Sequence, residues 1–153
     1  MHFAGIMHEH LGPTTSAVNP VIAAKKDPDS CLWTEKHMAQ EYHPVNLYTP
    51  HDQYGIHHLE EIFQKVGKAV VFSKLDLWQG FLQIPIAPDN QAKTCYWMGN
   101  HLMVYHCMPY SLHNTPAYFQ HVMDTEIVLA GLNHCTVAFI DDVLIWSKSP
   151  EQH

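Results

Sequence analysis

Two adjacent carboxylates, Asp141 and Asp142, lie between two short apolar runs of the sequence, 135–140 and 143–146. Both runs are rich in β-branched and aromatic residues, which predicts two strands of a hairpin with the aspartates near its turn. The two charges repel each other, and a divalent cation such as Mg²⁺, which prefers oxygen ligands, offsets that repulsion. A third carboxylate, Asp76, follows a similar apolar run. If the strands are neighbours, the three acids meet at one end of a sheet and suit two-metal phosphoryl transfer.

The elements that would position these acids can be predicted from hydrophobic periodicity and from residues typical of helix ends. Residues 58–66 fit a short amphipathic helix. Asn114-Thr115-Pro116 is typical of a helix start, and an apolar stripe follows it as far as residue 130. The order of a strand with Asp76, a hairpin region, this helix and the hairpin with Asp141 predicts an α+β fold. Its helices pack on one face of an antiparallel sheet.

Shorter strands are expected elsewhere in the chain. Residues 18–24 resemble a strand that runs into a turn-prone loop. Residues 82–86 alternate as an edge strand does, given their proline. Two further strands, 93–98 and 101–108, are expected around a turn at residues 99 and 100.

Composition limits the classes of protein to which the chain can belong. With 153 residues, 46% of them hydrophobic, it can form about one domain with one core. No stretch approaches the roughly 20 apolar residues of a membrane span, and the opening residues lack the features of a signal peptide. Four cysteines without Cys-x-x-Cys spacing are typical of reduced thiols. We therefore expect an intracellular protein, cytoplasmic or nuclear, with no membrane partner.

The charged residues and the histidines are unusual in number. Charged residues make up 15% of the chain, against about 25% in an average domain, and all eight basic residues are lysines. The formal net charge of −7 by itself argues against a nucleic-acid binder. Fourteen histidines raise the alternative of a metal-binding domain. They are scattered, however, and neither His8-Glu9-His10 nor His57-His58 has the spacing of a zinc site.

Three motifs in a fixed order resemble those of one polymerase family. Residues 72–77, Phe-Ser-Lys-Leu-Asp-Leu, followed by Gly80-Phe81, resemble motif A of reverse transcriptases from Gypsy-like long-terminal-repeat retrotransposons. Residues 108–120 resemble motif B, and residues 139–142 resemble motif C. The resemblance covers the chain from about residue 18 to its end. It also argues against a simple Asx turn, which would explain an isolated pair of aspartates.

The resemblance implies the fold and the reaction of a right-hand polymerase. An extended lead-in would occupy residues 1–20, the fingers 21–68 and the palm 69–153. The reaction would be template-directed DNA synthesis from deoxynucleoside triphosphates on an RNA or DNA template-primer. Asp76 and Asp141 would hold two Mg²⁺ ions with the support of Asp142.

A second group of residues would bind the nucleotide and the template. The resemblance implies this role for Lys25, His37, Phe81, Tyr110, Ser111 and Gln120. Phe81 falls at the family's steric gate against the ribose 2′-hydroxyl, although from its sequence context alone it is a core aromatic after a turn. Lys25 aligns with a fingers position that grips the triphosphate, and from its context alone it is the solvated tip of a hairpin. Gln120 would lie near the template.

The chain departs from the family pattern at several of these positions. The family has arginine where this chain has His37, His43, Trp78 and His121. An imidazole with a pKa near 6.5 is mostly neutral at pH 7 and cannot replace a bidentate guanidinium on a triphosphate. The motif B glycine is Ser111, whose Cβ is unfavourable where φ is positive.

These departures are each single C-to-T or G-to-A changes, the pattern left by deamination of methylated CpG sites. We interpret the chain as the translated relic of a silenced retroelement. Since it ends soon after motif C, we also expect it to lack the thumb, connection and RNase H domains, and to be weakly active or inactive. The alternatives are a catalytically dead relic and a protein-interaction module that docks through an exposed apolar palm edge.

Overall fold

The computed structural model describes residues 5–14, 16–26 and 33–153, and between residues 22 and 38 it describes the backbone alone. Within these residues the elements follow the chain as β1 (Met7–Glu9), β2 (Pro20–Lys26), β3 (Trp33–Gln40), α1 (His43–Tyr48), α2 (Leu59–Val66), β4 (Val71–Asp76), α3 (Pro88–Gln91), β5 (Tyr96–Met98), β6 (His101–Tyr105), α4 (Thr115–Leu129), β7 (Thr136–Phe139) and β8 (Asp142–Ser147). They divide into two compact units, within residues 1–50 with 81–115 and residues 51–80 with 116–153. Helices with antiparallel strands give the predicted α+β fold class.

The first unit contains a three-stranded sheet in the order β1-β6-β5 and a separate β2-β3 hairpin. All of these strand pairs are antiparallel. The predicted turn between β5 and β6 is confirmed, and Gly99 provides its φ of +63°. The core is aromatic and centres on Tyr42, Tyr96 and Tyr105. The Tyr42 hydroxyl donates to the Thr94 carbonyl at 2.8 Å, so the polar end of this buried ring is satisfied.

Several expectations for this unit differ from the structure. The strand expected at 93–98 is shortened to β5, since Ala92–Thr94 forms a 3₁₀ helix. The strand predicted at 82–86 is wrong, because Gly80–Gln83 forms a short 3₁₀ helix and a single bridge joins Pro85 to Cys107. Proline lacks the N–H that a strand ladder needs, and this explains why the pairing does not extend. The lead-in contains β1, which the sequence analysis did not predict. Its three residues are too few to show a periodicity, and they pair with distant β6.

The second unit contains a sheet in the order β4-β8-β7 with α2 packed on it. The β7-β8 hairpin is the one predicted around the two aspartates. Ile62 is the buried residue of α2, and it packs with Val137 and Trp146 of the sheet. Helix α2 ends, as its sequence suggests, at Gly67, whose φ is +55°. In the described ranges, no helix is both long and apolar enough to cross a membrane.

Candidate active site

The pairing of β4 with β8 brings three acids together at one end of the sheet. Asp76 is the last residue of β4, and its partner in register is Asp142, the first residue of β8. Asp141 lies in the turn just before. The N–H of Leu77 donates to the carbonyl of Asp141 at 2.9 Å, which continues the contact between the chains past Asp76. The structure therefore places the three acids as the hairpin pattern predicts.

The carboxylate of Asp141 lies in an unfavourable setting for a negative charge. Its Oδ1 atom is buried and has no hydrogen-bond partner among the described residues. Burial raises the pKa of Asp141, and repulsion from Asp76 and Asp142 raises this pKa further. A cation beside the carboxylate would relieve both effects, so the position fits a bound metal ion.

Asp142 has a different neighbour. Its Oδ2 atom lies 3.0 Å from the ammonium group of Lys74, and both side chains are well exposed, at 43% and 64%. An exposed ion pair contributes at most about 1 kcal/mol, so a stronger cation can displace the lysine. Sequence analysis missed Lys74, although its position two residues before Asp76 puts both side chains on one face of β4.

The three acids do not form a closed cage. In the part of the chain that the structure describes, no three His, Cys, Asp or Glu side chains are arranged to hold a metal ion by themselves. Mg²⁺ is usually bound by one or two carboxylates and takes its remaining ligands from water and substrate phosphates. The orphaned oxygen of Asp141 with two neighbouring carboxylates matches that kind of open site.

The turn before Asp141 is held by a buried amide. Ile140 has a φ of +54°, a conformation that β-branched residues rarely adopt. Its N–H donates to Oε1 of Gln120 at 2.8 Å, and Nε2 of Gln120 donates to the Ala138 carbonyl at 3.0 Å. Gln120 is fully buried. In this structure it positions the turn, and the predicted contact with the template would require its amide to leave these bonds.

Gly80 provides space beside Asp141. A Cβ atom at this position would lie 2.6 Å from Asp141 Oδ1 and 2.9 Å from the ring of Phe119, closer than real contacts allow. Phe119 itself is 3% exposed and belongs to α4. A side chain at position 80 would therefore push the carboxylate or the ring aside. The sequence showed Gly80 only as part of motif A and gave no sign of this steric role.

In the first unit, two of the predicted nucleotide-binding residues, Phe81 and Tyr110, are brought together although 29 positions separate them, and Ser111 follows Tyr110 directly. The rings of Phe81 and Tyr110 are tilted at 57° with centroids 5.6 Å apart. Ser111 has a φ of +72°, the unfavourable case named above for a residue at the glycine position. Its carbonyl accepts from Nδ2 of Asn46 at 2.9 Å, and Oδ1 of Asn46 accepts from the N–H of His113 at 3.1 Å.

Lys25 and His37 lie on the β2-β3 hairpin. Their backbones pair with Glu35 and Ala23. Their side chains, together with residues 27–32, lie outside the described part of the chain. The triphosphate-gripping role of these two residues stays a prediction.

Three of the four positions at which the resemblance implies an arginine are described in full. The exposed fraction of Trp78 is 81%, so this residue has not moved into a core. His43 and His121 are exposed as well. The ring of His121 stacks on that of Tyr54 with centroids 4.7 Å apart. All three positions can accept a long charged side chain without burying it.

Comparison with known proteins gives one consistent family. The family described as Reverse transcriptase (RNA-dependent DNA polymerase) matches residues 31–153. Polyprotein P3 of Commelina yellow mottle virus is 35% identical over 78% of the chain. The Retrovirus-related Pol polyprotein from transposon 297 of Drosophila melanogaster is 32% identical over 97% of the chain. The chain spans only 6% and 14% of these two relatives, respectively.

Solved structures show the same fold. The protease-reverse transcriptase of foamy virus in complex with double-stranded DNA superposes with a TM-score of 0.79 at 21% identity. The match covers 97% of this chain and 24% of that one. The foamy virus enzyme in complex with an RNA/DNA hybrid gives a TM-score of 0.78, also at 21% identity. This likeness confirms the predicted polymerase fold.

Proposed function

Because the chain belongs to the reverse transcriptase family, we propose that the acidic end of the β4-β8-β7 sheet is a centre for metal-dependent nucleotidyl transfer. The reaction is template-directed DNA synthesis from deoxynucleoside triphosphates. The observation that carries this proposal is the buried Oδ1 of Asp141, which has no hydrogen-bond partner among the described residues and lies beside two further carboxylates. Such a group is stabilised by a hard divalent cation.

Each acid has its own part in this proposal. Asp76 and Asp141 are the ligands of two Mg²⁺ ions, and Asp142 supports them. When bound, the ions activate the primer 3′-hydroxyl and neutralise charge on the triphosphate. Gln120 holds the turn that carries Asp141, and Gly80 leaves the space that its carboxylate occupies. These contacts keep the carboxylate oriented before any ion arrives.

The nucleotide-binding side of the proposal depends on the motif resemblance. Phe81 is the steric gate, Tyr110 and Ser111 line the nucleotide pocket, and Lys25 and His37 contact the triphosphate. The tilted pair of half-buried Phe81 and exposed Tyr110 supports an aromatic surface that a sugar or base can contact. An imidazole at position 37 in place of a guanidinium, together with the positive φ of Ser111, predicts weak nucleotide binding, and hence low activity.

We further propose that the chain is a fingers–palm portion of a Gypsy-like retroelement polymerase, with fingers at 21–68 and palm at 69–153. The similarity to a transposon polyprotein supports this origin. The partners are a template-primer of RNA or DNA and the remaining domains of a larger polyprotein. The foamy virus complexes with DNA and with an RNA/DNA hybrid support this class of partner.

A Mn²⁺ titration tests the metal site without requiring turnover. Mn²⁺ should broaden the NMR signals of amides near Asp141, those of Leu77 and Ile140 first, and Asp141→Asn should abolish the effect. Asp89→Asn, at an exposed acid on α3, is the matched control and should leave the broadening unchanged. Broadening that persists in Asp141→Asn, or that never centres on these amides, would overturn the proposal.

Primer extension tests the reaction itself. With primed RNA, deoxynucleotides and Mg²⁺, we expect slow extension that Asp141→Asn removes. Extension that is equally fast in Asp141→Asn would mean that another centre carries the activity.

A protein-interaction module is a second candidate function. Strand β4 is an edge of its described sheet, and it exposes Val70 just before it, Phe72 and Leu75. An exposed apolar edge strand readily pairs with the same edge of a second copy. Light scattering decides between the candidates. A dimer that Phe72→Lys converts to a monomer supports this module, and a wild-type monomer argues against it.

A further inference from the structure

The carboxylate of Asp124 contacts three side chains, those of Gln120, His57 and Tyr54. It lies on α4, one helical turn after Gln120, so both residues share one face of the helix. Its Oδ1 accepts from Nε2 of Gln120 at 3.0 Å and lies 3.2 Å from Nε2 of His57. Its Oδ2 accepts from the hydroxyl of Tyr54 at 2.8 Å, and this bond raises the pKa of Tyr54. Only 19% of the Asp124 side chain is exposed.

We propose that Asp124 is a positioning residue for the proposed metal site, acting through the amide of Gln120. Tyr54 and His57 hold the carboxylate of Asp124, and Asp124 in turn fixes the direction in which the Gln120 amide points. The catalytic meaning of this inference rests on the proposed function. The positioning itself concerns the contacts of the turn and can be measured independently.

The orientation of the Gln120 amide is fixed by which of its two ends can face each partner. The Nε2 group of Gln120 has two N–H donors, and one points to Asp124 and the other to the Ala138 carbonyl. Both partners are acceptors, so the oxygen of the amide must face the remaining partner, the N–H of Ile140. A flipped amide would place its oxygen against two acceptors and its NH₂ group against a donor. Asp124 therefore opposes the flip together with Ala138.

The residues that hold Asp124 are themselves ordered by local contacts. The N–H of Tyr54 donates to Oδ1 of Asp52 at 3.0 Å, an Asx-type contact that shapes the segment before α2. His57 lies 3.8 Å from Glu61 on the first turns of α2. Since a carboxylate only accepts, His57 must present its Nε2–H to Asp124. The segment before α2 is thus coupled to the turn that carries Asp141.

Loss of Asp124 should affect the turn at Ile140 in particular. Without Asp124, the NH₂ group of Gln120 keeps one of its two described acceptors, the Ala138 carbonyl, so its amide is less strongly oriented. The N–H of Ile140 would then lose its fixed partner, and the positive φ of Ile140 would be less strongly held. Because Asp141 is the next residue, its carboxylate would be held less firmly in one orientation.

Amide hydrogen exchange followed by NMR tests the inference without any assay of activity. In Asp124→Ala, exchange at Ile140 should accelerate by about tenfold, the expected effect of weakening one hydrogen bond. Exchange at Trp146, whose N–H donates to the Cys135 carbonyl at 2.9 Å in the same hairpin, should stay at its wild-type rate. Asp124→Asn keeps an acceptor oxygen for Gln120 and should restore a rate close to wild type.

Two results would overturn the inference. The first is an unchanged rate at Ile140 in folded Asp124→Ala. The second is an equal acceleration at Ile140 and Trp146, which would indicate general loss of stability. If Asp124→Ala does not fold, Tyr54→Phe removes a single bond to Asp124 and should still accelerate Ile140 more than Trp146. An unchanged ratio of the two rates in Tyr54→Phe would then overturn the inference.

A Mn²⁺ titration of the same variants separates this inference from the proposed function. Asp124→Ala should weaken Mn²⁺ binding severalfold, and Asp124→Asn should not. If wild type binds no Mn²⁺ near Asp141, the proposed function fails, and the exchange rates alone still decide the role of Asp124. If Mn²⁺ binds equally well to wild type and to Asp124→Ala, Asp124 does not position the site.

Discussion

The turn at Ile140 in the second unit and the turn at Ser111 in the first unit are both stabilised by an amide side chain. Both residues have a positive φ, +54° and +72°, although neither is glycine. In both turns an amide side chain bonds to two backbone groups of the segment. Gln120 bridges Ala138 and Ile140, and Asn46 bridges Ser111 and His113.

The two turns differ in the strain of their backbone and in the burial of the amide side chain that bonds to them. Ile140 is β-branched, and this makes a left-handed conformation more unfavourable than it is for serine. Its amide, from Gln120, is fully buried, whereas Asn46 is only partly buried. The comparison indicates that the more strained turn, the one beside the acids, depends on an amide shielded from water. At Ser111 the strain follows from the residue type, and glycine would remove it.

Removal of the buried amide should have the largest effect. Gln120→Leu leaves the Ala138 carbonyl and the Ile140 N–H without their partner, and we expect a loss of about 2–4 kcal/mol in the free energy of unfolding. Urea denaturation measures it. Gln64→Leu, at an exposed position of α2, is the control and should change stability by less than about 0.5 kcal/mol. Equal effects of the two variants would show that the amide does not hold the turn.

The partly buried amide should matter less. Asn46→Ala should reduce the free energy of unfolding by about 1 kcal/mol, because water can replace part of its two hydrogen bonds. Asn46→Asp keeps the acceptor for His113 and loses the donor for Ser111, so its effect should be intermediate. If Asn46→Ala costs as much as Gln120→Leu in the same urea titration, burial does not explain the difference between the turns.

Ser111→Gly should raise stability. Glycine adopts a φ of +72° without the steric penalty of a Cβ, so we expect a gain of about 1 kcal/mol. Ser111→Ala keeps the Cβ and should give no gain. The comparison of thermal unfolding curves decides the point. A gain in the alanine variant as large as that in the glycine variant would mean that the hydroxyl, not the backbone, is unfavourable.

Asp141→Asn should stabilise the metal-free protein at neutral pH by roughly 0.2–1 kcal/mol, since it removes a repelled charge. The pKa of Asp141 is raised in the folded state, so folded wild type binds this proton more tightly than the unfolded chain does. Wild-type stability therefore falls as the pH rises above the ordinary value of 3.8. The advantage of the variant should grow from acidic to neutral pH in urea titrations. A destabilised variant at pH 7 would contradict the assignment of repulsion.

Trp78→Arg should have the smallest effect on stability, below about 0.5 kcal/mol, because 81% of the residue is exposed. If the restored arginine reaches a phosphate, the log–log salt dependence of single-strand binding should steepen by roughly 0.7. Trp78→Gln separates loss of the ring from gain of the charge. A slope that stays equal in all three proteins would mean that position 78 does not contact nucleic acid.

Sequence patterns predicted those parts of the site whose structure depends on residues close together in the chain. The β-branched runs around Asp141 predicted the hairpin, and the apolar spacing before Gly67 predicted α2. The positive φ of Ile140 had no such signal, because an isoleucine between apolar neighbours indicates a regular strand. The burial of Gln120 depends on backbone groups of a distant hairpin. The contact between Lys74 and Asp142 likewise depends on the register of β4 with β8.

The division of the chain into interleaved units affects how the protein acquires its fold during synthesis. Helix α2 and strand β4 leave the ribosome well before β8, the strand that pairs with β4. The intervening segment, residues 81–115, belongs to the other unit, so until β8 is made the apolar side of α2 lacks the strand that carries Trp146. Pairing over so long a separation is slow, and such intermediates are prone to aggregate. The docking of β8 completes the sheet and places Asp142 opposite Asp76, so the nascent chain gains its acidic end and a covered core in a single late step.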